Sequence, residues 1–166
     1  MSASRLLGHA FAASAHRTFP EDALQRITTA VAAGELRHRG EICFAVESAL
    51  PLSHVLRGLT ARERALEVFA QLRVWNTHAN NGVLVYLLLA DHRIEIVADR
   101  GLDAHVSAEQ WRGVCMLMEE RLAAGEPEAA AIEGIGAVSD LLAEHFPRAP
   151  GDIDDNELPD PPRILR

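Results

Sequence analysis

The sequence predicts an α/β fold, a three-layer α/β/α sandwich in which helices cover both faces of a small mixed sheet. Residues 83–89 form an entirely apolar run of strand length, which is typical of a strand buried on both faces. A second strand, residues 94–97, follows after a four-residue link, so the two strands should be antiparallel neighbours. Helical patterns precede and follow this hairpin, as layered α/β folds require.

Composition limits the classes of function. At 166 residues the chain has the length of one domain with a substantial core. The formal net charge is −8, which argues against a nucleic-acid partner because phosphate binding needs a basic face. No apolar run approaches the roughly 20 residues of a membrane helix, and the alanine-rich start is too interrupted for a signal peptide. We therefore expect a cytoplasmic location.

The first part of the chain predicts two helices and a strand. Residues 2–16 are alanine-rich and predict the first helix. Thr18-Phe19-Pro20-Glu21 predicts a capping box at the start of the second helix, which Gly34 ends. Residues 42–47 alternate large apolar side chains with small or polar ones, so they predict a strand with one apolar face.

Capping boxes mark two of the later helices. Thr60-Ala61-Arg62-Glu63 begins a helix whose predicted inward stripe is Leu66, Phe69 and Ala70. This helix joins the first strand to the apolar one, an order that favours a parallel pair with a right-handed crossover. Ser107-Ala108-Glu109-Gln110 begins the next helix, and Pro127 opens the last one.

The chain divides into a domain, residues 1–147, and a tail, residues 148–166. The tail is rich in proline and in acidic residues, which predicts an extended, mobile segment without a core of its own. The acidic stretch 152–160 is a candidate interaction segment. Alternatively, Leu158 and the pair Ile164-Leu165 are apolar enough to dock onto the domain.

Two polar loops should lie at the same end of the predicted hairpin, because its strands are antiparallel. Oxygen donors of the kind that Ca²⁺ and Mg²⁺ prefer occur in both loops. The candidate metal ligands are Asp99, Asp103, Asn80 and Asn81. Arg100 is the candidate substrate-binding group, as a phosphate clamp. In the alternative interpretation, the asparagines make turn hydrogen bonds and the aspartates are solvated or pair with Arg100.

Complete catalytic motifs are missing from the sequence. The eight histidines form no zinc-binding pattern, and there is no Gly-x-Ser-x-Gly nucleophile motif. Cys43 and Cys115 are predicted to be buried thiols. Gly134-Ile135-Gly136 lies in a helical pattern, so close helix packing explains it better than dinucleotide binding. The residues alone therefore do not name a reaction.

Several motifs together resemble the TPM-domain family. They are Leu72-Arg73-Val74-Trp75, Asn80-Asn81-Gly82-Val83-Leu84, Arg93-Ile94-Glu95-Ile96 and the Gly101-Leu102 turn. The family, formerly a domain of unknown function, includes a thylakoid-lumen protein linked to photosystem II repair and many bacterial proteins. The segment Asn156-Glu157-Leu158-Pro159-Asp160 resembles the tail of a short proteobacterial subgroup.

The resemblance implies a sheet with helices on both faces, a weak acid phosphatase activity and divalent-metal binding. The sequence departs from the common family pattern at two places. Asp99-Arg100-Gly101 stands where much of the family has a Gly-aromatic-Gly turn, and Ser107-Ala108-Glu109 stands where an aspartate is common.

Two functions follow as hypotheses. The first is a non-enzymatic binding or assembly module that acts on another protein, with a membrane protein as one candidate partner. The missing nucleophile–base pair and the acidic tail favour it. The second is a weak acid phosphatase that depends on Ca²⁺ or Mg²⁺. In that case Asp99 and Asp103 would hold the cation, and Arg100 would contact the phosphate.

Overall fold

The computed structural model describes residues 3–152 and 156–165, which form four strands and seven α-helices. The strands are β1 (Glu41–Glu47), β2 (Gly82–Leu88), β3 (Arg93–Ala98) and β4 (Arg163–Leu165). The helices are α1 (Ala3–Ala10), α2 (Ala15–Thr18), α3 (Glu21–Glu35), α4 (Leu52–Leu56), α5 (Ala61–Gln71), α6 (Ala108–Ala123) and α7 (Pro127–His145). In the described segments, no helix is long and apolar enough to cross a membrane.

The sheet is mixed, with the strand order β3-β2-β1-β4. Strand β1 is parallel to both β2 and β4, and β2 is antiparallel to β3. Every residue of β1 and of β2 is buried, as expected for central strands with helices on both faces. The predicted α/β class with a mixed sheet is confirmed.

Two apolar cores lie on opposite faces of the sheet. Ile42, Phe44 and Val46 belong to the core that α3, α6 and α7 cover. Cys43 and Ala45 belong to the other core, which α4 and α5 cover. The alternation along β1 therefore separates the two cores, and the predicted three-layer arrangement is confirmed.

A buried carboxylate lies at the end of β1. Glu47 accepts two hydrogen bonds from the Arg64 guanidinium. Arg64 Nε donates to Oε2 at 2.9 Å, and Arg64 Nη2 donates to Oε1 at 3.0 Å. The Tyr86 hydroxyl donates to Oε2 at 2.6 Å. Burial, followed by the hydrogen bond to Glu47, raises the pKa of Tyr86, so its hydroxyl remains a proton donor. The three side chains connect β1, β2 and α5.

This ion pair explains why the predicted inward stripe of α5 is wrong at Leu66 and Ala70, whereas Phe69 packs against the core as predicted. The capping box at Thr60 is present and begins the helix as predicted. However, Ala61, Ala65 and Val68 are the buried residues, and Leu66 is 48% exposed. Since Arg64 must face Glu47 on the sheet, the helix is rotated so that its small side chains point inward.

The beginning of the chain also differs from its prediction. Two short helices, α1 and α2, occupy the region predicted as one helix, and residue 2 lies outside the described residues. The predicted capping box at Thr18 is wrong, since Pro20 is the N-cap of α3 and no side chain caps it. The Thr18 hydroxyl instead donates to the Ser14 carbonyl one turn earlier in the chain.

The tail is docked rather than mobile over residues 156–165. Strand β4 extends the sheet beside β1, and Leu158 is 6% exposed. The Leu158 N–H donates to Glu41 Oε2 at 3.0 Å. Without β4, β1 would be an edge strand with an unpaired backbone, which explains why the segment docks. The docking of Leu158 and Ile164-Leu165 is thus confirmed, while residues 153–155 of the predicted acidic segment lie outside the described residues.

Helix α1 is held to the β2–β3 turn by Asp91. The Arg5 guanidinium binds the Asp91 carboxylate through Nε and Nη2 and also donates to the Leu59 carbonyl. His9 is buried, with Nε2 3.0 Å from Asp91 Oδ1, and its Nδ1 accepts the Leu50 N–H at 3.0 Å. Because Nδ1 is an acceptor, the neutral imidazole carries its proton on Nε2 and donates it to Asp91.

Alanine substitutions at two glycines near the middle of α7, Gly134 and Gly136, should have opposite effects on the free energy of unfolding. A Cβ at Gly134 would lie under 3.0 Å from the buried Met118 side chain, whereas a Cβ at Gly136 would meet nothing within 4 Å. We expect Gly134→Ala to lower the free energy of unfolding by about 1–3 kcal/mol through overpacking. Gly136→Ala should raise it by about 0.5–1 kcal/mol through helix propensity. Urea denaturation measures both, and equal effects would contradict the close α6–α7 packing.

The Asp91 contacts predict a pH dependence. Burial raises the pKa of Asp91, but the Arg5 hydrogen bonds, the Arg5 charge and the His9 hydrogen bond outweigh burial and hold it below its ordinary value. A lowered carboxyl pKa adds stability above pH ~4, and that stability is lost as the pH falls through the folded-state value. Arg5→Gln should therefore lower the free energy of unfolding by about 1–2 kcal/mol at neutral pH.

The difference between Arg5→Gln and the wild type should shrink as the pH falls below ~4 and through the lowered pKa of Asp91, and it should be smallest where Asp91 is protonated in both proteins. Denaturation curves from pH 2 to 8 give the measurement. Arg17→Gln, a change at an exposed arginine on α2, is the matched control and should change stability little. A difference that stayed constant down to pH 2 would show that Asp91 is not the group involved.

Candidate functional site

The two polar loops meet at one end of the sheet, as the antiparallel pairing of β2 and β3 predicts. The Asp99 N–H donates to the Gly82 carbonyl at 2.9 Å, which continues the ladder one residue beyond the end of β3. The Gly101 N–H donates to the Asn80 carbonyl, also at 2.9 Å. The structure therefore brings together loop 76–81 and loop 99–103 through their backbones.

Two glycines allow this close approach. A Cβ at Gly82 would lie under 3.0 Å from the Val74 carbonyl oxygen, and a Cβ at Gly101 would lie under 3.0 Å from the carbonyl oxygens of Ala79 and Asn80. Backbone atoms cannot yield in the way a flexible side chain can. Asn80 has φ 52°, in the left-handed region that asparagine tolerates better than most residues.

Two candidate ligands are buried and incompletely bonded. Asn81 donates its N–H to Thr77 Oγ1 and its Nδ2 to the Arg39 carbonyl, but no described group donates to its Oδ1. Asp99 Oδ1 accepts the Arg100 N–H at 2.8 Å, while Asp99 Oδ2 has no hydrogen-bond donor among the described residues. Two acceptor oxygens are thus left in a buried setting, where an unpaired polar group is unfavourable.

The other three predicted site residues lie nearer to solvent. Arg100 is exposed, and its Nε donates to Asn80 Oδ1 at 3.2 Å. Asp103 is exposed at the end of the 3₁₀ turn Arg100–Leu102. The Asn80 N–H makes a turn hydrogen bond to the Thr77 carbonyl, but the side chains of Asn80 and Asn81 bond groups distant in sequence, Arg100 and the Arg39 carbonyl. The Asp99 carboxylate bonds the backbone of Arg100 rather than its guanidinium.

The donor set suits a hard cation in type but contains few charges. Asp99 Oδ2 and Asn81 Oδ1 are oxygen donors of the kind that Ca²⁺ and Mg²⁺ bind. Over residues 3–152 and 156–165, however, no three histidine, cysteine, aspartate or glutamate side chains form a group that could hold a metal ion. The arrangement could contribute one buried carboxylate, amide oxygens and backbone carbonyls to a cation.

Among the described residues, His9 and Asp91 form a histidine–carboxylate pair, and the fold uses both nitrogens of that imidazole. Since the Leu50 N–H occupies Nδ1, the neutral ring has no free lone pair with which to accept a substrate proton. Burial raises the pKa of both Cys43 and Cys115 to about 11. Both cysteines are free thiols, and at neutral pH they are protonated and poor nucleophiles.

One contact at this end of the molecule has no signal in the local sequence. The Glu157 carboxylate accepts the His78 N–H, at 3.1 Å to Oε1 and 2.8 Å to Oε2. Glu157 lies next to the buried Leu158, so the docked tail also holds loop 76–81. The sequence marks Glu157 only as one acidic residue among several in the tail, and the structure identifies its partner.

Known proteins share this fold. The TPM domain family model matches residues 15–141. The NMR structure of BA42, from the psychrophilic bacterium Bizionia argentinensis, is similar with a TM-score of 0.75 and 27% identity, covering 87% of this chain and 93% of BA42. The N-terminal domain of a P. gingivalis protein shares the fold with a TM-score of 0.60 at 18% identity, over 77% of this chain and 79% of that one. No curated protein matches the chain.

The matched region runs from α2 into α7, so it contains β1, the hairpin and both polar loops. The docked tail lies beyond it. The comparison therefore confirms the resemblance that the hairpin motifs indicate. The chain belongs to the TPM domain family.

Proposed function

We propose that this TPM domain is a non-enzymatic binding module that acts on another protein, with a membrane protein as a candidate partner and the cytoplasm as its compartment. One observation carries the proposal: the fold itself uses the groups that catalysis would need. Asn80 and Arg100 bond each other, and Asn81 bonds the Arg39 carbonyl. His9 bonds at both ring nitrogens.

Nucleophilic chemistry has equally little support. Efficient nucleophiles in enzymes are activated by a lowered pKa or by an adjacent base. Here burial raises the pKa of both thiols, and burial together with the Glu47 hydrogen bond raises that of the Tyr86 hydroxyl. A chain with such internally engaged groups is better suited to contact another molecule than to transform it.

Reciprocal affinity capture tests this proposal. The full chain serves as bait for separate soluble and membrane extracts, and the captured protein then serves as bait for the chain. We expect the same partner in both directions. Deleting residues 148–166 is a poor control because it removes β4. Phosphate-ester hydrolysis that persisted through repurification and disappeared in Asp99→Asn would contradict a non-enzymatic role.

A second candidate function, a weak divalent-metal-dependent acid phosphatase, is supported by the two buried oxygens without donors. Asp99 Oδ2 and Asn81 Oδ1 would hold Ca²⁺ or Mg²⁺, with Asp103 and Asn80 completing the set. When bound, the cation would neutralise phosphate charge and orient a water. Arg100 would leave Asn80 to contact the phosphate. The family model's own name includes the word phosphatase.

Amide NMR during a titration with Ca²⁺ and then Mg²⁺ tests the second candidate. Saturable shifts confined to loops 76–81 and 99–103 are expected if the site binds a cation, and Asp99→Asn should weaken the binding about tenfold or more. Asp140→Asn, at an exposed carboxylate on α7, is the matched control. The absence of shifts at millimolar metal would remove the phosphatase candidate.

A further inference from the structure

A groove runs along the free edge of the sheet. Strand β3 is an edge strand, because β2 lies on one side of it and no described strand lies on the other. Helices α5 and α6 both pack against β3, so the edge forms the floor of a groove with a volume of about 310 Å³. Its charged lining consists of Arg62, Arg93, Glu95, Arg112 and Glu119.

The backbone register shows which groups of β3 face this groove. The Asp99 N–H bonds the Gly82 carbonyl, and hydrogen-bonded pairs recur at every second residue of an antiparallel ladder. The pair Val97–Leu84 and the pair Glu95–Tyr86 are therefore hydrogen-bonded. Ile94 and Ile96, on the intervening positions, direct their N–H and carbonyl groups away from β2.

Side chains, rather than another strand, satisfy these outward groups. Glu119 Oε1 accepts the Ile94 N–H at the long distance of 3.4 Å. The Arg62 guanidinium donates to the Ile96 carbonyl. The Arg62 side chain is 50% exposed. An incoming strand N–H would replace the guanidinium at the Ile96 carbonyl, and solvent would hydrate the displaced Arg62 side chain.

The charges of the groove favour an acidic partner. Three arginines (Arg62, Arg93 and Arg112) face two glutamates there, in a chain whose net charge is −8. Arg93 contacts Glu119 at 3.4 Å and Arg62 contacts Glu95 at 3.8 Å, so both pairs are loose. Arginine binds carboxylates in a bidentate manner, which makes this basic cluster a site for acidic side chains.

Trp111 and Met116 supply the apolar side of the groove. Met116 is 50% exposed on α6, and Trp111 is half-buried five residues earlier on the same helix. An extended segment presents alternate side chains to opposite sides. A segment that alternates apolar and acidic side chains would therefore offer apolar groups to Trp111 and Met116 and carboxylates to the arginines on α5, β3 and α6.

We propose that this groove binds an extended acidic segment of a partner protein, which adds to β3 as a further strand. Strand addition at an exposed edge gives affinity through main-chain hydrogen bonds and specificity through alternate side chains. The inference rests on the proposed binding function, and it names the surface and the chemistry of the partner.

A short peptide of matching chemistry provides the test. The probe is the blocked pentapeptide acetyl-Val-Glu-Val-Glu-Val-amide, and its control is acetyl-Val-Lys-Val-Lys-Val-amide. With the glutamate peptide we expect saturable amide shifts in β3 and α6 and slower hydrogen exchange at Ile94 and Ile96. Slower exchange at these two amides distinguishes strand addition from simple charge attraction to the arginines.

A pair of charge reversals locates the binding. Arg112→Glu changes an exposed groove arginine and should weaken the affinity for the glutamate peptide about tenfold. Arg17→Glu makes the same change on α2, away from the groove, and should leave binding unchanged.

Three results would overturn the proposal. The first is the absence of saturable amide shifts at millimolar peptide, and the second is equal binding of the lysine peptide. The third is slower hydrogen exchange at Ile94 and Ile96 that depends only on protein concentration, because that result would mark the edge as a contact between two copies of the chain. If the Arg112→Glu variant still captured the partner protein, the groove would be rejected as the binding site, while the proposed binding function would remain supported.

Discussion

The rest of the structure depends on one buried charge, the Glu47 carboxylate. An uncompensated carboxylate in this position would destabilise the fold by several kcal/mol, so its partners are obligatory. Arg64 fixes the rotation of α5, and that rotation decides which side chains of the helix enter the core. Tyr86 fixes the same carboxylate from β2. Leu165 of β4 pairs with Glu47 in the sheet, so the docked tail helps to close the site of this charge.

The features that could be predicted from the sequence are those decided by neighbouring residues. The apolar run of β2, the alternation of β1 and the capping boxes at Thr60 and Ser107 are local, and all are present. The sequence of α5 could not predict which of its side chains point into the core, because Arg64 turns toward a carboxylate on a different element. Strand β4 escaped prediction for a similar reason. It has three residues after a proline-rich stretch, and its stability comes from an edge of β1 that is distant in sequence.

The same division holds for the candidate site. The meeting of the two polar loops could be predicted, because antiparallel pairing alone decides which ends of the strands are close. The hydrogen-bond partner of each polar group in these loops could not be predicted. The Asn81 amide meets the Arg39 carbonyl, and the His78 N–H meets Glu157, through contacts that no spacing in the sequence reveals. As a result, the oxygen-rich end of the sheet is partly closed by its own loops and by the tail.

The edge of β3 has a consequence for the behaviour of the protein at high concentration. An open edge strand can act as a template for aggregation, and natural proteins discourage this with charged side chains at the edge. Arg62 and Glu119 occupy that position here, since each bonds an outward backbone group of β3. Burial raises the pKa of the Glu95 carboxyl beside them, so acidification protonates this carboxyl before it protonates an ordinary exposed glutamate. The colloidal stability of the chain is therefore linked to the ionisation of a few side chains along one strand.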